Sequence, residues 1–115
     1  MYQASYAETL ENDPSGCRER ERLVFDRAID LLRRGEVEGP GSRAALEAAD
    51  FVRRLWQALI EDLASDDNDL PQTLRGDLIS VGIWILRESD HLRVGKPGSF
   101  RSVIDVCSMI RDGLK

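Results

Sequence analysis

The sequence predicts an all-α fold, an antiparallel bundle of about four helices preceded by a short N-terminal helical segment. Apolar residues recur at steps of three and four along most of the 115 residues. Glycine, proline and capping residues interrupt this pattern and leave only short connections. The apolar run Leu78–Leu86 is the one place where a buried strand competes, and the helix-forming residues on both sides of it favour a helix.

Composition indicates one soluble globular domain. The chain is 42% hydrophobic and 32% charged, and its length allows a core to be buried without disulfides or metals. The formal net charge is −5. An acidic balance argues against sequence-blind binding to nucleic acid, which depends on many basic contacts to phosphates.

The chain shows no targeting or redox signature. No apolar run approaches the roughly 20 residues that span a bilayer, and MYQASYAETLEN lacks the basic and apolar regions of a secretory signal. Cys17 and Cys107 form no CxxC pair, and His91 is the single histidine. These features predict a reduced, cytoplasmic setting, with a disulfide between the two cysteines left open.

The N-terminal segment, residues 1–12, is short and ambiguous. Tyr2, Tyr6 and Leu10 are spaced by four and would share one face of a helix. Loose packing on the bundle is the simpler interpretation, because termini are often poorly ordered. Contact between the two tyrosines and a partner is the alternative.

The first helix is predicted over 14–34. Asp13 is a good N-cap, and Pro14 suits the first helical position because its missing N–H would have no partner there. Gly35 is a plausible stop. The apolar stripe comprises Val24, Phe25, Ala28, Ile29, Leu31 and Leu32.

The second helix is predicted over 43–64. Ser42 can cap it after the linker EVEGPG. Small alanines open this helix, which lets a neighbour approach closely, and large apolar residues close it from Phe51 to Leu63, including Trp56.

The connection at 65–69 is acidic. Three aspartates in five residues suggest calcium, but the pattern lacks the glycine and the distal glutamate of an EF-hand loop, so we favour a polar turn and expect no metal site. Asp69 with Gln72 fits a capping arrangement, with Pro71 in the first turn of a third helix predicted over 70–94.

The third helix is apolar almost all round between Leu78 and Leu86. Such a helix should be covered on most sides, which would make it the centre of the bundle. Gly82 costs about 1 kcal/mol inside a helix relative to alanine, so it predicts a close helix contact, beside Trp84. His91 is a polar residue of the last turn.

The fourth helix is predicted over 99–113, with Ser99 as its cap. Cys107 lies on the apolar stripe and is interpreted as a small buried residue. The stripe comprises Phe100, Val103, Ile104, Cys107, Ile110 and Leu114.

Catalytic chemistry has no support in this sequence. There is no GxSxG, no HExxH and no paired Cys/His set, and the carboxylates are scattered over helix faces. We therefore expect no enzyme and no cofactor. Binding through a groove between helices is the function that a bundle of this kind most readily supports.

Five sequence blocks together resemble the alphaproteobacterial FlaF family of flagellar biosynthesis regulators. They cover almost the whole chain: MYQASYAETLEN, CRERERLVFDRAIDLL, FVRRLWQALIEDLASDDNDLP, LRGDLISVGIWILRE and SFRSVIDVCSMIRDGL. The resemblance implies a cytoplasmic protein that promotes flagellin synthesis and secretion, most simply as a flagellin-binding export chaperone. It also implies FlbT as a possible partner.

Two other functions stay open. One is post-transcriptional regulation of flagellin expression together with FlbT, without flagellin binding. The other is a homo-oligomer that covers its own surplus apolar surface. Direct nucleic-acid binding is disfavoured by the net charge, although five arginines could form a patch: Arg53, Arg54, Arg75, Arg87 and Arg93.

Candidate partner contacts are apolar and aromatic residues of the N-terminal segment, of the outer face of the third helix and of the C-terminal end of the fourth. Each has core or loose packing as its simpler interpretation. They are Tyr2, Tyr6, Leu10, Ile83, Ile110 and Leu114.

Overall fold

The computed structural model describes residues 14–95 and 100–113, with side chains from Glu19 onward. It contains four helices in this part of the chain, α1 (Pro14–Glu38), α2 (Arg43–Ala64), α3 (Gln72–Arg93) and α4 (Phe100–Asp112). The predicted all-α class is confirmed. The predicted segment at 1–12, the Ser99 cap and Leu114 lie outside the described residues.

The helices pack in the order α4, α1, α2, α3. Helix α2 packs against both α1 and α3, and α1 also packs against α4, whereas α3 and α4 touch only slightly. Ion pairs join Asp26 to Arg111 (3.1 Å) and Glu36 to Arg101 (3.5 Å), which shows that α1 and α4 run antiparallel. Among the described residues, the bundle is therefore open between α3 and α4.

The core is formed mainly by α1, α2 and α4. Phe25, Ile29, Val52, Trp56 and Ile104 are among its fully buried large side chains. Burying each such side chain contributes about 1.5–3 kcal/mol relative to leaving it exposed.

Helix α2 spans the residues predicted for it. Ser42 caps it through a hydrogen bond from the Ala45 N–H to Ser42 Oγ (3.1 Å). Helix α1 instead continues past the predicted stop at Gly35. The chain turns at Gly39, whose φ of +99° favours glycine, and the Gly39 N–H donates to the Gly35 carbonyl (2.8 Å).

Gly35 serves a close approach of helices. A Cβ added there would lie 2.9 Å from Phe100 Cε1 and 3.1 Å from Ala45 Cα. The second atom belongs to the backbone of α2 and cannot move cheaply. The absence of a side chain at Gly35 thus lets α1 and α2 meet.

We expect Gly35→Ala to destabilise the fold by about 1–3 kcal/mol, because overpacking against α2 outweighs the gain of about 1 kcal/mol in helix propensity. Urea denaturation followed by circular dichroism measures the effect. Gly76→Ala in α3 is the control, since nothing lies within 4 Å of its added Cβ, and it should stabilise. Equal stabilisation by both substitutions would contradict the close-approach interpretation.

The start of α3 differs from the prediction. Pro71 occupies the N-cap position without a side-chain hydrogen bond, so the predicted Asp69–Gln72 capping arrangement is wrong. Asn68 shapes the turn instead, because its Oδ1 accepts from the Leu70 N–H (3.0 Å).

The prediction that α3 is covered on most sides is also wrong for the described residues. Its main neighbour is α2, and Ile83 remains 50% exposed. Gly82 does mark a close contact, but the neighbours are Ile60 (2.8 Å from an added Cβ) and Trp56 (3.1 Å) of α2, rather than Trp84. Helix α2, not α3, is the centre of the bundle.

Candidate functional site

An apolar groove of about 420 Å³ opens at the end of the bundle where α2 ends and α3 begins. We call it the α3–α4 groove, because Leu78 of α3 and Ile110 of α4 both line it and these two helices make little contact. Its volume lies within the range of about 300–1,000 Å³ that is usual for ligand pockets. The apolar lining residues are Phe25, Trp56, Leu59, Leu63, Leu70, Leu78 and Ile110.

Aromatic rings form the rigid part of this lining. Phe25 and Trp56 pack edge to face, with ring centroids 6.1 Å apart and planes at 79°. That geometry is the favoured one for aromatic pairs. Because Trp56 is held by Phe25 on one side and by the Gly82 contact with α3 on another, the groove has a preformed base.

The Trp56 indole is incompletely satisfied. Its Nε1 is buried and has no hydrogen-bond partner among the described residues. The indole lies near enough to the Cys107 thiol to lower its pKa slightly. The two groups do not meet hydrogen-bond geometry, and sulfur is in any case a weak acceptor. Buried N–H groups of this kind are uncommon and destabilise a core.

Cys107 is a free, buried cysteine, as its place on the apolar stripe predicted. Burial raises the pKa of its thiol from 9.0 to about 11, and the neighbouring Trp56 indole opposes this only in part. The thiol therefore stays protonated at neutral pH, and a protonated thiol is a poor nucleophile.

We expect Cys107 to resist alkylation in the native protein and to react rapidly in urea. Because its pKa is raised in the folded state, its contribution to stability is intact below pH 9 and is lost as pH rises from 9.0 to about 11. Thiol labelling followed by mass spectrometry, in a Cys17→Ser background, checks the first expectation. Fast native labelling at neutral pH would contradict the buried placement.

The rim of the groove is acidic. Glu21 of α1, Asp62 of α2 and Asp69 of the α2–α3 connection line it, together with the amide of Asn68, which donates to Asp62 Oδ2 (3.3 Å). No lysine or arginine is among the described lining residues. Asp62 and Asp69 are exposed to solvent, so the apolar base carries a hydrated, negatively charged edge.

Arg75 holds the α2–α3 connection in place. Its guanidinium donates to the carbonyl oxygens of Leu63 (3.4 Å) and Ser65 (3.2 Å). Carbonyls at a helix C-terminus lack intrahelical partners, and a cation there also complements the helix dipole. This link positions Asp69 and Leu70 at the rim.

Further apolar surface adjoins the groove. Leu70 is 40% exposed and Leu74, one helical turn before Leu78, is 43% exposed. Leu70 belongs to the α2–α3 connection and lines the groove, whereas Leu74 lies on α3 beside it. The groove and these two leucines form a continuous candidate surface for an apolar partner.

The predicted contact residues fall in three places. Ile110 lines the groove. Ile83 is exposed on α3 but does not line it. The remaining four lie outside the described residues: Tyr2, Tyr6, Leu10 and Leu114. Sequence reasoning assigned Trp56, Leu59 and Leu78 to the core only, since an apolar stripe looks the same whether a helix or a partner covers it.

Three of the five arginines that could form a patch have partners among the described residues. Arg53 pairs with Asp90 (2.6 Å), and Arg54 pairs with Asp50 (3.2 Å). Arg75 points to the carbonyls at the end of α2. Arg53 and Arg75 thus link different parts of the bundle, whereas Arg54 pairs within its own helix and stays largely exposed.

Two further features are absent from the described residues. No group of three or more histidine, cysteine, aspartate or glutamate side chains could hold a metal ion there. No described helix combines the length and the apolar character that crossing a membrane requires.

Comparison with family models matches residues 2–114 to the family described as flagellar protein FlaF. The chain belongs to the FlaF family. The match spans all four helices and every residue of the α3–α4 groove, so the groove is a feature of the family-matched region. No curated protein and no solved structure matches this FlaF chain.

Proposed function

We propose that this FlaF family member is a cytoplasmic export chaperone that binds flagellin in the α3–α4 groove. The observation that carries the proposal is the gap between α3 and α4, which exposes Leu78 and Ile110 over a preformed base of Trp56 and Phe25. A bundle whose only task was structural would gain stability by closing this gap.

The gap suits one kind of occupant. An amphipathic helix can lay its apolar face between two helices, with anchoring side chains at steps of three and four. Flagellin's terminal segments are expected to have this character, being disordered before assembly and helical in the filament. Covering them would prevent their self-association before export.

Release is as important as binding for an export chaperone. A segment that folds only when bound loses about 2–5 kcal/mol of the gross interaction energy to ordering. The groove is open, with Leu70 exposed at its rim and Leu74 exposed beside it, so it does not enclose a bound segment on all sides. Both features favour reversible binding.

Calorimetric titration tests the proposal. The full-length protein is titrated with flagellin and with flagellin lacking either terminal segment. We expect a dissociation constant in the micromolar range or tighter for intact flagellin, and loss of binding with one of the truncations. That pattern would also identify the bound segment.

No binding to any form of flagellin by folded protein would contradict the proposal. The alternative, regulation of flagellin expression with FlbT, would then be tested by titrating FlbT. Direct binding to the flagellin message is the less supported route, because the chain is acidic, with a formal net charge of −5.

A further inference from the structure

We propose that the segment bound in the α3–α4 groove carries lysine or arginine beside its apolar face, and that the acidic rim selects it. This inference rests on the proposed function, since it specifies the chemistry of the occupant of the same groove. Apolar contact with Leu78 and Ile110 would supply affinity, and the rim would supply selectivity.

The charges lie where the flank of a bound helix would pass. Asp62 lies at the end of α2 and Asp69 in the connection that follows it, and both line the groove next to apolar residues. Two further aspartates, Asp66 and Asp67, lie in the same exposed connection. The selectivity is assigned chiefly to Asp62 and Asp69.

Asp62 and Asp69 face no basic side chain among the described residues that line the groove. The described lining residues include neither lysine nor arginine, and the guanidinium of Arg75 is directed to two backbone carbonyls. Opposite charges around an apolar contact raise the association rate and penalise partners of the wrong sign. A basic helix is therefore favoured over an acidic one with the same apolar face.

The acidic rim also argues against two occupants that this protein itself could supply, its own N-terminal segment and a second copy of the chain. Residues 1–13 of this chain include Glu8, Glu11 and Asp13 but no lysine or arginine. A second copy of the chain carries a formal net charge of −5, so it is on average repelled by an acidic rim. Like charges at close range are destabilising, so a basic segment of another protein is the occupant that the rim fits.

Two synthetic peptides test the inference. They share one amphipathic apolar stripe and differ only in the flanking positions, which are lysine in one and glutamate in the other. Each exposed ion pair is weak by itself, but pairing with both Asp62 and Asp69, compared with repulsion of the glutamate peptide, should make the lysine peptide bind about tenfold more tightly at about 50 mM salt. The ratio should shrink at about 0.5 M salt, where charges are screened beyond a few ångströms.

Rim variants assign the effect to the groove. The double variant Asp62→Lys and Asp69→Lys should reverse the preference, so that the glutamate peptide binds more tightly. The control variant, Asp30→Lys and Asp105→Lys, makes the same change in net charge at exposed positions of α1 and α4 outside the groove, and it should keep the original preference. Circular dichroism confirms that all variants are folded.

The binding experiments distinguish failure of the charge-selection inference from failure of the proposed function. Equal binding of both peptides, or tighter binding of the glutamate peptide, would overturn charge selection and leave the groove as a binding site. No binding of either peptide or of flagellin would overturn both proposals.

Two further results would assign the groove to other occupants. If Tyr2→Asp with Tyr6→Asp raised the affinity for both peptides equally, the chain's own N-terminal segment would be the competing occupant. A dimer of the free protein that either peptide dissociated to the same extent would implicate a second copy. Either result would overturn the exclusion of that occupant on charge grounds, whereas the ratio of the two peptide affinities tests charge selection by itself.

Discussion

Leu78→Asp is expected to abolish flagellin binding while the protein stays folded. Leu78 is only half-buried in the free protein, so a carboxylate there can remain hydrated. Once an apolar helix covers the groove, that charge would be buried without a partner. The loss should be about 100-fold or more in affinity, as for a central contact of an interface. Calorimetric titration with flagellin measures it.

Two variants make this result specific. Leu70→Asp, at a rim position that is 40% exposed, costs little stability and should weaken binding in the same direction. Met109→Asp is the control, because Met109 neighbours Ile110 but is 72% exposed and does not line the groove. Wild-type affinity in Leu78→Asp, with Met109→Asp also unaffected, would exclude the groove as the binding site.

Ile83 calls for a separate measurement. It was predicted as a partner contact, and it is exposed on α3 outside the groove. Loss of flagellin binding in Ile83→Asp, with the fold retained, would place a second contact on the outer face of α3. Retained binding would restrict the contact to the groove.

Trp56→Ala is expected to have the largest effect on stability. Trp56 is 1% exposed and contacts Phe25, Gly82 and Cys107 on three different helices. Replacing a buried tryptophan by alanine removes burial and leaves a cavity, which costs about 3–5 kcal/mol. Domains of this kind have about 5–15 kcal/mol in total. Urea denaturation should therefore show a much lower midpoint.

The two tryptophans provide a comparison within one protein. Trp84 is only half-buried, so Trp84→Ala should cost about half as much or less. Trp56→Phe keeps most of the apolar volume and removes the unpartnered N–H, so its cost should stay below about 1.5 kcal/mol. An equal loss of stability in Trp84→Ala and Trp56→Ala would contradict the central placement of Trp56.

Features that depend on neighbouring residues could be predicted from the sequence. The helical class, the start of α1 at Pro14, the Ser42 cap and the place of Cys107 all follow from spacing and capping chemistry within one or two helical turns. The sequence blocks also identified the FlaF family. Only one groove residue, Ile110, was predicted as a contact, because it lies near the C-terminal end of its stripe.

Features that depend on which helices meet were decided by the tertiary structure alone. An apolar stripe must be covered, but the stripe does not specify by what. Trp56 and Leu78 therefore looked equivalent in sequence, although Trp56 is fully buried at the base of the groove and Leu78 stays partly exposed in it. Gly35 looked like a helix stop, and only the approach of Ala45 and Phe100 shows why a side chain is excluded there. The physical reason is that burial is a property of pairs of helices, whereas periodicity is a property of each helix by itself.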